Sequence, residues 1–354
     1  MDDAWCVSVV PETAVPHTVH TPRVIGAPDR SRRSLWIAAV IGIPASAVFL
    51  FLAIRGADLG AVWQTLQDVR WGPLLGAVAC MGVVYWLQAA RWRRIAGTGG
   101  SQRRFLEMVV GGVAVNNVLP GRVGDLLRAR WVSRGAFSYG RGVATVVLDR
   151  GFDLLTLAFF LLATLPFVTD EPWVDRIVLG SVVVLLALWL GILAARTYTR
   201  RRPRGRRTHR GLARRFARDT LEGLSEPLSS SRTVLVTLSL AAWLAWAVAA
   251  VLTARAVGIE LTVLEAVFVT AAINLGVAIP SSPGFVGTYQ WLGVSALALF
   301  GMGQEAGLAF AIAMQAVWYV PTTLVGAVLL VGHARSAWGA PPPYGSTQRR
   351  AGAR

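Results

Sequence analysis

Residues 71–90 and 233–254 each run without one charged side chain. Hydrocarbon offers no water to backbone N–H and C=O groups, so such a run is stable in a bilayer only as a helix that bonds its own backbone. A crossing takes about 20 residues, because the hydrocarbon core is roughly 30 Å thick and a helix rises about 1.5 Å per residue. Six runs meet that length: Ser34–Ile54, Trp71–Ala90, Val143–Val168, Ile177–Ala195, Thr233–Ala254 and Gly307–Val331. Pro321 inside the last is expected to kink it. Composition points the same way, since 54% of residues are hydrophobic and 15% charged, against about 25% charged in a soluble domain. The chain therefore reads as an all-α, polytopic integral membrane protein. Two cysteines and four histidines without metal-ligand spacing leave no basis for a disulfide framework, a metal centre or a cofactor.

The formal net charge is +16, yet its placement argues for topology rather than nucleic acid. Every basic residue is arginine, and no aromatic interleaving accompanies the clusters. The tail ending in Arg30, Arg32 and Arg33, the stretch with Arg91, Arg93, Arg94, Arg103 and Arg104, and the basic loop 196–232 are expected on the cytoplasmic side. Asp170, Glu171 and Asp175 mark one external loop; Asp58 and Asp68, against Arg55 and Arg70, mark another. Both termini then lie in the cytoplasm of a cell whose plasma membrane holds the protein. Trp71, Trp173, Trp243 and Trp338 sit near run ends, as an interfacial aromatic belt requires. Residues 1–33 and the Pro-rich 332–354 read as disordered tails around a membrane domain, 34–331. The N-terminal tail lacks the pattern of a removable signal peptide, so the first run is expected to stay as an anchor.

Two apolar segments do not fit simple crossings. Phe105–Leu119 is short, about 22 Å as a helix, and is flanked by arginine on both sides, so it is expected to dip in from the cytoplasm and turn back. Val263–Ile279 runs into Pro280-Ser281-Ser282-Pro283-Gly284, and by parity it dips in from outside. The segments resemble each other. Leu106-Glu107 precedes Asn116 as Leu264-Glu265 precedes Asn274, with the same nine-residue step from Glu to Asn, and Pro120-Gly121-Arg122-Val123-Gly124-Asp125 parallels Pro283-Gly284-Phe285-Val286-Gly287-Thr288. An internal repeat in opposite orientations, with broken helices converging near the bilayer centre, is the architecture of many secondary transporters. Pro and Gly breaks free backbone groups that must meet protein, water or a polar ligand. Half-helix N-termini suit an anion such as phosphate. Asn116, Asn117 and Asn274 either bind a ligand there or patch the broken backbone.

The run from Asn117 to Ala129, the later Leu148-Asp149-Arg150-Gly151-Phe152-Asp153-Leu154-Leu155, and the run from Ile279 to Gln290 together resemble the lysylphosphatidylglycerol synthase transmembrane family. That is the flippase-like domain of multiple peptide resistance factor proteins and of their stand-alone relatives. The likeness covers about residues 35 to 331 and implies a flippase-like fold. Gln290 stands where that family commonly has an acidic residue. Only 23 residues follow Val331, so the aminoacyltransferase domain of the full-length relatives is not expected here, and no enzymatic activity is expected of the chain.

Asp149, Arg150 and Asp153 lie inside an apolar run. Asp149 and Asp153 share a helix face at i, i+4, and Arg150 reaches Asp153 at i, i+3. Charges at that depth are costly and are paired or functional; here they either serve a substrate or hold their helix against the first broken segment. Arg122 and Arg128 are suited to a phosphate, to which guanidinium donates paired hydrogen bonds. The arginines of loop 196–232 orient the chain or attract anionic headgroups. The reading is a lipid flippase or transporter for a phospholipid or other anionic headgroup. Its substrate-contacting set is Asn116, Asn117, Pro120, Gly121, Arg122, Gly124, Asp125, Arg128, Asp149, Arg150, Asp153, Asn274, Pro280, Pro283, Gly284, Gly287, Thr288 and Gln290. Membrane lipids, and a separate lipid-modifying enzyme, are the expected partners; nucleic acid is not. A non-transporting scaffold for an envelope-modifying enzyme is the alternative, and an intramembrane transferase lacks a nucleophile and base to nominate.

Overall fold

The computed structural model describes residues 44–119, 122–134, 136–168, 212–225, 231–277 and 282–335, with isolated helical positions at 179–180, 183 and 191. The described residues form eleven α-helices and no strand. They are α1 (Pro44–Ile54), α2 (Leu59–Gln67), α3 (Trp71–Ala96), α4 (Gln102–Val118), α5 (Val123–Ser133), α6 (Tyr139–Thr164), α7 (Leu212–Ser225), α8 (Arg232–Ala256), α9 (Val263–Gly276), α10 (Thr288–Ala298) and α11 (Gln304–Arg335).

Residues Trp71–Ala96, Arg232–Ala256 and Gln304–Gly332 are long and apolar enough to cross a membrane. Helix α6 matches them at 26 residues but carries Asp149, Arg150 and Asp153 in its middle. Of the run Ser34–Ile54 only the second half is described. It bends by 87° into α2, so the stretch from Asp58 to Asp68, expected as an external loop, is helical. Asp58 starts that helix by accepting from the N–H groups of Gly60 at 2.8 Å and Ala61 at 3.2 Å. Ile177–Ala195 lies outside the described residues apart from those isolated positions. Helix α11 runs on through Pro321, and the Thr323 hydroxyl donates to the Tyr319 carbonyl at 2.6 Å in the adjoining turn. The basic stretch 196–232, expected as a loop, contains α7, whose Phe216 ring lies 5.7 Å from that of Tyr139 at the start of α6.

Helices α3 and α8 form the central pair and run antiparallel. The Arg70 N–H, at the start of α3, donates to the Ala256 carbonyl at the end of α8 (2.9 Å). Late in α3, Arg91 donates to the Ser239 hydroxyl early in α8 (2.7 Å). Each is followed by a turn and a capped helix. Gly97 in the left-handed conformation ends α3, and Ser101 caps α4; Thr262 and Glu265 form a reciprocal capping box on α9. Since α3 and α8 are antiparallel, α4 and α9 start at opposite ends of the pair. Helix α4 packs on α11 and α9 packs on α6, an exchange between halves that follows from the same inversion.

The two segments meet at their breaks. Tyr319 of α11 donates to the Asn117 carbonyl at the end of α4 (3.3 Å), and the Arg122 Nη2 donates to the Val277 carbonyl at the end of α9 (3.4 Å). Their backbones also match. The third position of Pro-Gly-x-Val-Gly is left-handed in both copies, at φ 54° for Arg122 and 61° for Phe285. Those are the described non-glycine residues with positive φ, so the repeat is visible in geometry as well as in letters.

The inversion is open to a direct test. In a background with Cys6 and Cys80 replaced by serine, Ser101→Cys and Thr262→Cys, both at exposed caps, are expected to react with a membrane-impermeant maleimide from opposite sides of sealed vesicles. Labelling of both from one side refutes the arrangement.

Candidate functional site

Helix α3 does not stop where its uncharged run stops. Arg91 continues the helix and is fully buried, because two carboxylates of α6 receive it. Its Nε donates to Asp149 Oδ1 at 2.9 Å and its Nη2 to Asp153 Oδ1 at 2.8 Å, while Nη1 takes the Ser239 hydroxyl. The other Asp149 oxygen accepts from Arg128 of α5 at 2.9 Å. Trp243 of α8 donates its indole N–H to Asp153 at 3.0 Å. Arg150 spans Asp125 of α5 (2.8 Å) and Asp153 (3.4 Å), and Arg128 also approaches Asp125 at 3.5 Å. Three guanidiniums and three carboxylates thus close a network across α3, α5, α6 and α8. Each charge has an opposite neighbour, which is the condition under which buried ions are tolerated.

Arg128 reaches this network over α4. Its guanidinium lies 4.2 Å from the centre of the Trp92 indole, a favourable cation–π arrangement. The path is open because Gly112 of α4 and Gly124 of α5 touch backbone to backbone. A β-carbon on Gly112 would sit 2.6 Å from the Arg128 side chain, and one on Gly124 would overlap the Gly112 carbonyl oxygen.

The sequence-derived residues divide sharply. Asp125, Arg128, Asp149, Arg150 and Asp153 are brought together, with the i, i+3 and i, i+4 contacts expected on α6. Arg128 is committed to Asp149 and is 2% exposed, so it is not available for phosphate as expected; Arg122 is exposed and pairs with no carboxylate among the described residues. Asn116 accepts from the Gly124 N–H at 2.7 Å, Asn117 donates to Thr323 at 2.8 Å, and Asn274 donates to the Thr270 carbonyl at 2.9 Å. All three side-chain bonds support backbone or helix packing. One N–H near each half-helix N-terminus is likewise taken internally. Asn116 already caps α5, and Gln290 accepts from the Gly287 N–H at the head of α10 at 2.7 Å.

The second break is held by neutral groups. Gln290 donates to Gln315, which donates to the Gly284 carbonyl at 2.6 Å; the Ser282 N–H donates to the Ser46 hydroxyl of α1 at 2.8 Å. Gly287, at φ 89°, packs against the α1 backbone. The Thr288 hydroxyl is buried and has no hydrogen-bond partner among the described residues. Pro120, Gly121 and Pro280 lie outside the described residues, and Pro283 opens a 3-10 turn over Pro283–Phe285.

Residues 35–326 match the family described as the lysylphosphatidylglycerol synthase TM region. The chain belongs to this family. A relative from Methanocaldococcus jannaschii, described as a UPF0104 membrane protein, is 23% identical over 219 residues, covering 61% of this chain and 92% of the relative. The protein is accordingly a multi-pass membrane protein of the lysylphosphatidylglycerol synthase TM family.

Arg91, Ser239, Trp243, Gln315 and Trp92 were not singled out by sequence. Arg91 was grouped with Arg93 and Arg94 as a charge beyond the run, and Trp243 with the aromatic belt. The structure corrects both, because a carboxylate partner makes the interior preferable to the surface for each. A signal for Arg91 exists: Ala77, Val84 and Arg91 recur every seven residues on one face, and all three are fully buried.

Arg91→Gln leaves two buried carboxylates short of a cation, a loss on the order of 3–5 kcal/mol. It is expected to lower the thermal unfolding midpoint in detergent sharply, and Arg91→Gln with Asp153→Asn is expected to recover part of it. If the single variant melts like the wild type, the network does not hold the fold together.

Proposed function

We propose that the protein is a lipid carrier of the cytoplasmic membrane, with both termini cytoplasmic, that moves a lipid with an anionic headgroup between leaflets and does not modify it. The observation that carries this reading is the meeting of two oppositely directed broken helices at one junction, with a guanidinium exposed there beside a closed ionic network. Irregular backbone at membrane depth is tolerated where it is buried in protein or lines a water-filled cavity, and paired inverted breaks give two half-structures that can rock about one site. Family membership supports the reading at the level of a flippase-like membrane domain.

The mechanism follows from the division of labour among the charges. The network of Arg91, Arg128, Arg150, Asp125, Asp149 and Asp153 is neutral in sum and ties α3, α5 and α6 together, with α8 joined to it through Ser239 and Trp243. The second break is joined by amide and hydroxyl bonds, and at the junction by Tyr319 to Asn117 and Arg122 to Val277. The amide and hydroxyl contacts are worth about 1 kcal/mol each and the Arg122 contact somewhat more, so the second break loosens from the junction more readily than the ionic network comes apart. Phosphate on Arg122 would replace a long contact to a neutral carbonyl with a paired contact to an anion.

A non-transporting scaffold is the second reading, favoured by the complete pairing of Arg91, Arg128 and Arg150. It would serve a separate lipid-modifying enzyme as docking partner.

Purified full-length protein in liposomes with a leaflet-labelled anionic phospholipid is expected to equilibrate the label faster than protein-free vesicles. Equal rates across phospholipid and polyprenyl-phosphate probes would overturn the carrier reading and leave the scaffold.

A further inference from the structure

Arg122 occupies a turn whose shape does not depend on its side chain. The equivalent turn in the second half carries Phe285 in the same left-handed conformation, so the backbone belongs to the motif and the side chain is a chemical choice. The helix it precedes is a poor anion receptor by itself, because Asn116 caps the Gly124 N–H and Asp125 adds negative charge to the first turn. The guanidinium is therefore the donor at this place.

Charge accounting sets the kind of ligand. Arg122 lies within electrostatic reach of Arg150, Asp125 and Asp153; those residues, with Arg91, Arg128 and Asp149, are neutral in sum, and Arg122 leaves one positive charge over. A single negative charge restores neutrality, whereas a phosphomonoester, with a second ionisation near pH 6, overshoots it in a setting where uncompensated charge is costly. The neighbourhood sets the rest. Val118, Leu119, Leu126 and Val286, which flank the breaks in the chain, are 58%, 45%, 51% and 47% exposed, apolar surface on the segments that carry an exposed cation, which suits an amphiphile and not a soluble ion.

We infer that the junction binds a phosphodiester lipid of one net negative charge, its headgroup on Arg122 and its chains along this apolar surface. This rests on the carrier reading and adds to it the ligand's charge and the residue that selects it.

The test uses full-length protein in detergent and follows the ligand-dependent rise in unfolding temperature with short-chain phosphatidylglycerol, phosphatidic acid, phosphatidylcholine, lysyl-phosphatidylglycerol and inorganic phosphate. Phosphatidylglycerol is expected to stabilise most, phosphatidic acid no better, the zwitterionic and cationic lipids less, and inorganic phosphate not at all. Arg122→Gln, which loses the contact to the Val277 carbonyl, is expected to melt slightly below the wild type without lipid and, relative to that baseline, to bind phosphatidylglycerol about tenfold more weakly, the equivalent of about 1.4 kcal/mol; Arg122→Lys keeps part of the affinity. Tighter binding of phosphatidic acid or of lysyl-phosphatidylglycerol, equal stabilisation by inorganic phosphate, or unchanged binding in Arg122→Gln overturns the inference. Flux in liposomes separates the two readings: flux with binding indifferent to Arg122 defeats this inference alone, and the expected binding without flux defeats the carrier reading alone.

Discussion

Arg91 lies fully inside a helix bundle with one guanidinium and nowhere to put its charge except on Asp149 and Asp153. That requirement sets the distances between α3 and α6, and through Ser239 and Trp243 it sets α8 as well. Arg128 completes the closure by bringing α5, the outgoing arm of the first broken segment, onto Asp149 as well. Hydrophobic burial alone discriminates weakly between helix arrangements in a bilayer, where lipid tails are as apolar as leucine. A set of buried ion pairs that must be satisfied among themselves discriminates strongly, so much of the specificity of this part of the fold resides in six side chains.

Against that body the second half has the same trace and different chemistry. Both halves carry Pro-Gly-x-Val-Gly at the break and a left-handed residue in its middle. One fills the space around the break with arginine and aspartate, the other with glutamine, serine and threonine. Aromatic rings connect the two. Trp243, which donates to Asp153, lies 5.3 Å from Trp246, which lies 6.5 Å from Trp318, which in turn lies 6.4 Å from Phe285. The repeat is thus symmetric in scaffold and asymmetric in how firmly each side is held.

Helix class, the long crossings and the opposed repeat were legible in the sequence because each depends on local pattern: uncharged length, arginine bias and Pro-Gly punctuation. The i, i+4 pairing of Asp149 and Asp153 was legible for the same reason. Arg91 was not, since its identity as a buried residue depends on carboxylates 58 and 62 positions away, and a run of arginines reads equally well as topology. Trp243 was misplaced for a like cause, as an indole near a run end suits an interface until a carboxylate claims its N–H. The asparagines were ambiguous from the start. What decided them was the approach of Gly124 to Gly112, which leaves Asn116 beside an N–H and not beside a cavity.

The pairing of α6 with partners upstream bears on biogenesis. A helix with two carboxylates and a guanidinium at its middle partitions poorly from the translocon by itself, each such charge costing about 2.5–3.5 kcal/mol at the helix centre. Arg91 and Arg128 are synthesised before Asp149 and Asp153 emerge. The cations that neutralise α6 in the finished fold thus leave the ribosome ahead of it, so the chain order supplies partners before the segment that needs them.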